Sequence, residues 1–146
     1  MESMVCPVCR DRYLVPFLSN NLKNSSDTAN TTTNASYEKV KEISFPAYAL
    51  SGQVRIKFTL ATNNASIAAY GRIYKDDVAI GTERTTTSTT GEEFSEDLMF
   101  TPKSKIQIYA KIAAGGLATV TNFGIYCSAL CLSCGYDDSQ SVKHIW

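Results

Sequence analysis

The chain has 146 residues, enough for one domain that buries roughly 70% of the surface its unfolded form exposes, and too few for two independent cores. Its 14 Lys plus Arg balance 14 Asp plus Glu, so the basic excess that a nucleic-acid partner requires is missing. No apolar run approaches the ~20 residues of a membrane-spanning helix, so membrane insertion is not expected.

The N-terminus, Met1-Glu2-Ser3-Met4-Val5-Cys6, lacks a basic region leading into an apolar stretch, so synthesis in the cytoplasm without a signal peptide is expected. All five cysteines fall in two clusters, Cys6-Pro7-Val8-Cys9 and Cys127 to Cys134. Cys6–Cys9 and Cys131–Cys134 each enclose two residues, a spacing that lets paired thiolates reach one ion from a tight knuckle. Together they form a complete four-cysteine ligand set for structural zinc, with Cys127 and His144 as alternates. One or two disulfides, or unbridged thiols, are the competing readings. Four thiolates leave no open position for water, which argues against catalytic zinc.

The segment Tyr13-Leu14-Val15-Pro16-Phe17-Leu18 is apolar and needs cover from the domain or a neighbouring subunit. Residues 19–36 are almost all Ser, Thr and Asn, which reads as a linker or extended surface strap. The acceptor patterns at Asn24, Asn30, Asn34 and Asn64 are attributed to this composition, since a chain without a signal peptide does not meet the glycosylation machinery. Residues 1–36 are therefore expected as an N-terminal arm, 37–128 as the folded domain, and 129–146 as a second cysteine knuckle and tail.

From Tyr37 onward the apolar residues recur with period two, the mark of strands. Val54, Ile56, Phe58 and Leu60 alternate with polar residues, as do Ile106, Ile108, Ala110 and Ile112. In 66–74, Ile67, Ala69, Gly71 and Ile73 face inward and Ala68, Tyr70, Arg72 and Tyr74 outward. Residues 117–126 are apolar at both parities, as expected of a central or covered strand. Turn signals at Ser51-Gly52, Asn63-Asn64, Asp76-Asp77, Thr90-Gly91, Pro102-Lys103-Ser104 and Gly115-Gly116 separate strands at about 37–48, 52–61, 66–75, 78–87, 91–101, 105–113 and 117–128. The expected fold is all-β: an antiparallel β-sandwich of seven or eight strands with the cysteine knuckles joining its ends. A jelly-roll-like arrangement is preferred to an immunoglobulin-like one, because no Cys…Trp…Cys spacing occurs and the single tryptophan is Trp146.

Ser51-Gly52-Gln53-Val54-Arg55-Ile56-Lys57-Phe58, Gly71-Arg72-Ile73-Tyr74-Lys75-Asp76-Asp77-Val78-Ala79-Ile80-Gly81-Thr82-Glu83, Phe94-Ser95-Glu96-Asp97-Leu98, Ile106-Gln107-Ile108-Tyr109-Ala110-Lys111 and Val120-Thr121-Asn122-Phe123-Gly124-Ile125 form a rhythm of strands and hairpins. Over about residues 37–128 this resembles the β-sandwich domains of bacteriophage virion proteins, of the tail-associated, receptor-binding and head-decoration kinds. The resemblance implies a non-enzymatic structural role in a virion or extracellular particle, through a homo-oligomer or contacts with other virion proteins. Where those domains often close a hairpin with Asn-Gly, this chain has Asp76-Asp77, which favours positive φ less strongly.

Tyr70, Arg72 and Tyr74, with Tyr109 and Lys111 on another strand, form an outward ladder that could stack on sugar rings or on a subunit. Ordinary cross-strand packing is the plainer alternative. This face makes a carbohydrate- or receptor-binding module, with a host-surface glycan as ligand, the second functional expectation. Glu92, Glu93, Glu96 and Asp97 are expected on a solvated strand face because they interleave with Phe94 and Leu98. No phosphate-binding glycine loop, serine elbow or histidine dyad occurs, so no enzyme is expected.

Overall fold

A computed structural model describes residues 14–44, 52–101, 103–131 and 142–143. Two antiparallel sheets pack face to face. In the first, β1 (Leu14–Ser26), β10 (Ala118–Cys131), β4 (Gly52–Thr62) and β8 (Glu92–Phe100) lie in that order, with β2 (Asn30–Thr32) and β11 (Val142–Lys143) also paired to β10. In the second, β3 (Glu38–Ser44), β9 (Lys105–Ile112), β5 (Ala69–Lys75) and β6 (Val78–Ala79) follow one another, and β7 (Arg84–Thr86) pairs with β5. The sandwich expected from the alternation is what the chain forms; among the described residues seven of its strands have 7 residues or more.

The core follows directly from the alternation. Val54, Ile56, Phe58 and Leu60 of β4 face Ile73 of β5 and Ile106, Ile108, Ala110 and Ile112 of β9, all at most 1% exposed. Each large apolar side chain so removed from water contributes roughly 1.5–3 kcal/mol. Phe94 and Leu98 of β8 pack against the same cluster from its rim.

β10 is the central strand of its sheet, as expected, but its two apolar parities have a different cause from cover on both faces. Ala118 and Val120 point inward; then Asn122 adopts φ 52 and the register against β4 shifts between Thr121 and Gly124. After this bulge Phe123, Ile125 and Cys127 point inward instead, because one extra residue reverses which parity meets the core.

The Ser/Thr/Asn stretch supplies ladder strands as well as surface. Leu22 to Ser26 pair with Tyr126 to Phe123, and Asn30 to Thr32 continue that line against Val120 to Ala118. Backbone pairing needs no apolar side chain, so a polar edge strand leaves little period-two signal. Its polar groups are used: Asn21 Nδ2 donates to the buried Ser128 Oγ at 2.7 Å. The buried Lys41 donates to Ser26 Oγ at 3.0 Å and Asn30 Oδ1 at 3.1 Å.

The expected strand 78–87 divides into β6 and β7. The amides of Ile80 and Gly81 both donate to Ile73 O, at 3.1 and 3.0 Å, a bulge that ends the first pairing. At the open side beyond it Glu96 turns inward from β8, accepting from Thr82 N and Thr82 Oγ1, while Arg84 Nη2 lies 3.6 Å from its carboxylate. Glu96 therefore helps close the sandwich, whereas Glu93 and Asp97 lie on the solvated face as expected and Glu92, on the parity of Glu96, is exposed at the start of the strand.

A tyrosine-lined sheet face as the candidate functional site

The outer face of the second sheet is built by register. Tyr70 pairs with Lys111, Arg72 with Tyr109 and Tyr74 with Gln107, while Lys39 and Glu42 of β3 flank Tyr109 and Gln107 on the other side. In an antiparallel pair, diagonal neighbours two residues apart come within reach of aromatic side chains. Tyr74 and Tyr109 are such a pair: their rings stack with centroids 3.7 Å apart and planes at 13°. All four residues of the expected ladder, Tyr70, Arg72, Tyr74 and Tyr109, thus share one face.

Tyr37, not among the expected residues, extends the array. Its ring centroid is 6.0 Å from that of Tyr74, and Lys111 Nζ sits 4.7 Å from the Tyr37 centroid and 5.3 Å from that of Tyr70. The ammonium between two ring faces is an attractive cation–π arrangement. Tyr37 precedes β3, and a bulge between Lys39 and Lys41 interrupts the alternation beside it, so periodicity alone gives no sign of its facing.

Two carboxylates position the rings. Asp77 Oδ1 accepts from Tyr109 Oη at 2.8 Å and from Gln107 Nε2 at 2.9 Å, and its own amide donates to Gln107 Oε1 at 2.8 Å. Asp76 and Asp77 both take positive φ, 49 and 68. The hairpin therefore adopts the geometry that Asn-Gly would favour, and side-chain bonds compensate for the less suitable residues. On the other flank Tyr37 Oη donates to Glu83 Oε2 at 2.6 Å, and Arg72 Nε donates to Gly81 O at 2.5 Å. No described residue accepts a hydrogen bond from the hydroxyls of Tyr70 and Tyr74.

This network shifts titration. The hydrogen bond from Tyr109 and then that from Gln107 hold the Asp77 carboxyl below its ordinary value, and the bond from Tyr37 does the same for Glu83. Loss of water contact, then the Asp77 hydrogen bond, pushes the Tyr109 phenol up to about 12, and burial raises Tyr37 as well. A phenol raised in the folded state contributes stability that is fully present below its unfolded value near 10 and is lost as pH rises through about 12. The lowered carboxyls work on the acid side, where their contribution is present above the ordinary carboxyl value and lost as pH falls. We expect stability to decline between pH 10 and 12, and Tyr109→Phe to flatten that decline in denaturant titrations taken across the range. An unchanged slope in that variant would remove the assignment.

A shallow groove of about 310 Å³ lies on the outer face of the first sheet, lined by Asn20, Arg55, Lys57, Glu93, Ser95, Glu96 and Asp97. It has no aromatic wall, and its guanidinium is engaged: Arg55 donates twice to Asp97, at 2.8 and 3.1 Å, and once to Asn20 Oδ1 at 2.7 Å. The groove offers no aromatic ring to stack on, so the tyrosine face is the better candidate.

Of the expected metal ligands, Cys6, Cys9, Cys134 and the alternate His144 lie outside the described residues, and the backbone of Cys131 closes β10. Cys127 is fully buried in the core, and burial pushes its thiol up to about 12. Among the described residues no three Cys, His, Asp or Glu side chains come together around a metal position.

No protein family matches the chain in sequence, and neither does any characterised protein. Solved structures do match in shape. The C-terminal domain of EclA, a sugar-binding protein, superposes with a TM-score of 0.52 at 10% identity, covering 70% of this chain and 80% of that one. A family 35 carbohydrate-binding module from Clostridium thermocellum reaches 0.46 at 17% identity over 77% and 97% of the two chains. A module of Cellvibrio mixtus lichenase 5A, solved with cellotriose, reaches 0.43 at 13% over 71% and 96%. The first of these supports the β-sandwich fold, and none of the three links the chain to bacteriophage virions.

Proposed function

We propose that this protein is a non-catalytic glycan-binding module whose contact surface is the face carrying Tyr37, Tyr70, Tyr74 and Tyr109. The carrying observation is that these four rings, with Arg72 and Lys111, share one sheet face within a few ångströms of one another. A sugar ring offers an apolar C–H face to stack on an aromatic ring and a rim of hydroxyls to hydrogen-bond. Phenol rings, a guanidinium, an ammonium and the carboxylates of Asp77 and Glu83 answer both needs. The shared sandwich shape of the EclA domain, itself from a sugar-binding protein, supports the reading. Virion assembly rests on the strand rhythm alone, which the sandwich already accounts for, so glycan recognition is preferred.

The test is a glycan array with the full chain, followed by calorimetry on the strongest hit. Tyr70→Ala is expected to weaken binding roughly tenfold, equivalent to about 1.4 kcal/mol, the scale of one lost aromatic contact. Tyr74→Ala should do the same, with its melting temperature measured alongside because Tyr74 also stacks on Tyr109. Absence of binding to any glycan, or unchanged affinity in the Tyr70 variant, would overturn the proposal.

A further inference from the structure

We propose that the glycan bound on the tyrosine face carries a carboxylate on its sugar ring, and that Arg72, between Tyr70 and Tyr74, receives it. The inference rests on the glycan-binding reading above and adds the chemical class of the ligand. Its ground is the state of Arg72. The other cations of this face are neutralised locally: Lys39 lies 2.8 Å from Glu42, Lys105 4.0 Å from the same side chain, and Lys111 3.5 Å from Glu83. Among the described residues no carboxylate pairs with Arg72, whose Nε donates to the neutral Gly81 carbonyl instead. Glu83 is held low first by its hydrogen bond from Tyr37, and of the groups that lower it Arg72 contributes least.

The guanidinium is also held in place. Gly81 is buried, and a Cβ on it would stand 2.9 Å from Glu96 Oε1 and 3.0 Å from Ile73 Cβ. The backbone whose carbonyl receives Nε is therefore pressed against β5, where its amide and that of Ile80 both donate to Ile73 O. With Nε bound there, both Nη groups are left without a described acceptor. A donor already fixed in orientation loses little freedom when a ligand arrives. β5 puts Tyr70 and Tyr74 on the same side as Arg72, two residues away in each direction, or about 6.8 Å at strand rise.

The balance of donors and acceptors selects the ligand. Each carboxylate of the face already accepts from the protein: Asp77 from Tyr109 and Gln107, Glu83 from Tyr37, and Glu42 from Lys39 and Gln107. The groups left to serve a ligand at Arg72 are donors, the two Nη groups and the hydroxyls of Tyr70 and Tyr74. Two coplanar Nη donors match the two oxygens of a carboxylate, and such charged bonds are roughly twice as strong as neutral ones. In a hexuronic acid the carboxylate is bonded directly to the ring, so the residue that stacks on a phenol delivers its charge to the neighbouring guanidinium.

The test is an array of uronate oligosaccharides, sialylated and sulfated glycans and their neutral counterparts, probed with the full chain. The strongest sugar acid is then compared with its methyl ester by calorimetry. Carboxylate-bearing sugars are expected to lead the array, and esterification should weaken binding roughly 10–100-fold, the range of hydrogen bonds to charged groups. Affinity for the acid should fall with added salt and that for the ester should not. Arg72→Gln should abolish the preference for acid over ester, and Arg72→Lys, which keeps the charge but not the fork, should restore part of it; melting temperatures are measured alongside. Acid and ester bound equally, neutral or sulfated glycans leading the array, or a full acid preference in Arg72→Gln would each overturn the inference while glycan binding stands. Binding to no glycan would remove both. The acid–ester comparison uses the unaltered chain, so it decides even if the Arg72 variants do not fold.

Discussion

Replacing Phe58 with alanine lowers stability by about 4 kcal/mol, in the range of buried aromatic truncations. Phe58 is 1% exposed and sits where the sheets meet. Its ring lies 5.8 Å from that of Phe94, its direct partner on β8. From the opposite sheet Gly71 presents no side chain, and a Cβ there would stand 3.1 Å from Phe58 Cε2. The ring thus fills space that the glycine leaves, and two regular sheets cannot collapse locally to close the cavity. At ~3–4 °C per kcal/mol for a chain of this size, the melting temperature falls by roughly 12–16 °C. Phe58→Leu, which keeps most of the volume, should cost under about 1.5 kcal/mol. Urea titrations of both variants check this, and a loss below about 2 kcal/mol for alanine would contradict the packing described.

Gly52→Ala carries the next largest cost, about 3 kcal/mol, at the upper end of the usual penalty for overpacking. A Cβ at Gly52 would meet Pro16 O at 2.5 Å and two carbons of the Pro16 ring at 2.6 and 2.8 Å. The nearest of these is a backbone atom, which cannot rotate aside, so either β1 or the start of β4 must move. Elsewhere in a strand the same exchange would gain roughly 0.5–1 kcal/mol from reduced chain entropy, so the sign itself is diagnostic. Hydrogen exchange locates the damage: amides paired between Leu14–Phe17 and Ser128–Cys131 should exchange faster, while those of β5 and β9 keep their protection. A neutral or stabilising result would mean that β1 does not pack on β4.

Alternation made the core and most of the candidate site legible. Every second residue of β4, β5 and β9 faces inward as read, and the same parity puts Tyr70, Arg72, Tyr74 and Tyr109 outside. What was not legible lies where the period breaks. The bulges at Asn122 and between Lys39 and Lys41 reverse or blur parity, which hid the facing of Tyr37 and gave the second apolar parity of β10 a misleading look of two-sided cover. The second half of β1, Ser19 to Ser26, was hidden for another reason: its pairing is made by backbone groups under polar side chains, and composition marks such a segment as a linker or surface strap. Asp77 as a positioning group depends on a turn from β5 and a strand 30 residues on, a meeting that only the fold specifies.

That first strand also has a history within each round of synthesis. β1 is made early, yet its partner residues on β10 follow over a hundred residues later. At about 5–20 residues per second, translation leaves it single for some 5–20 s. An apolar strand waiting that long would be a template for pairing with another nascent chain. Serine and asparagine from Ser19 to Ser26 keep that half of the waiting edge wetted without removing a single ladder amide, so the polar composition that disguises the second half of the strand also protects it until its partner arrives.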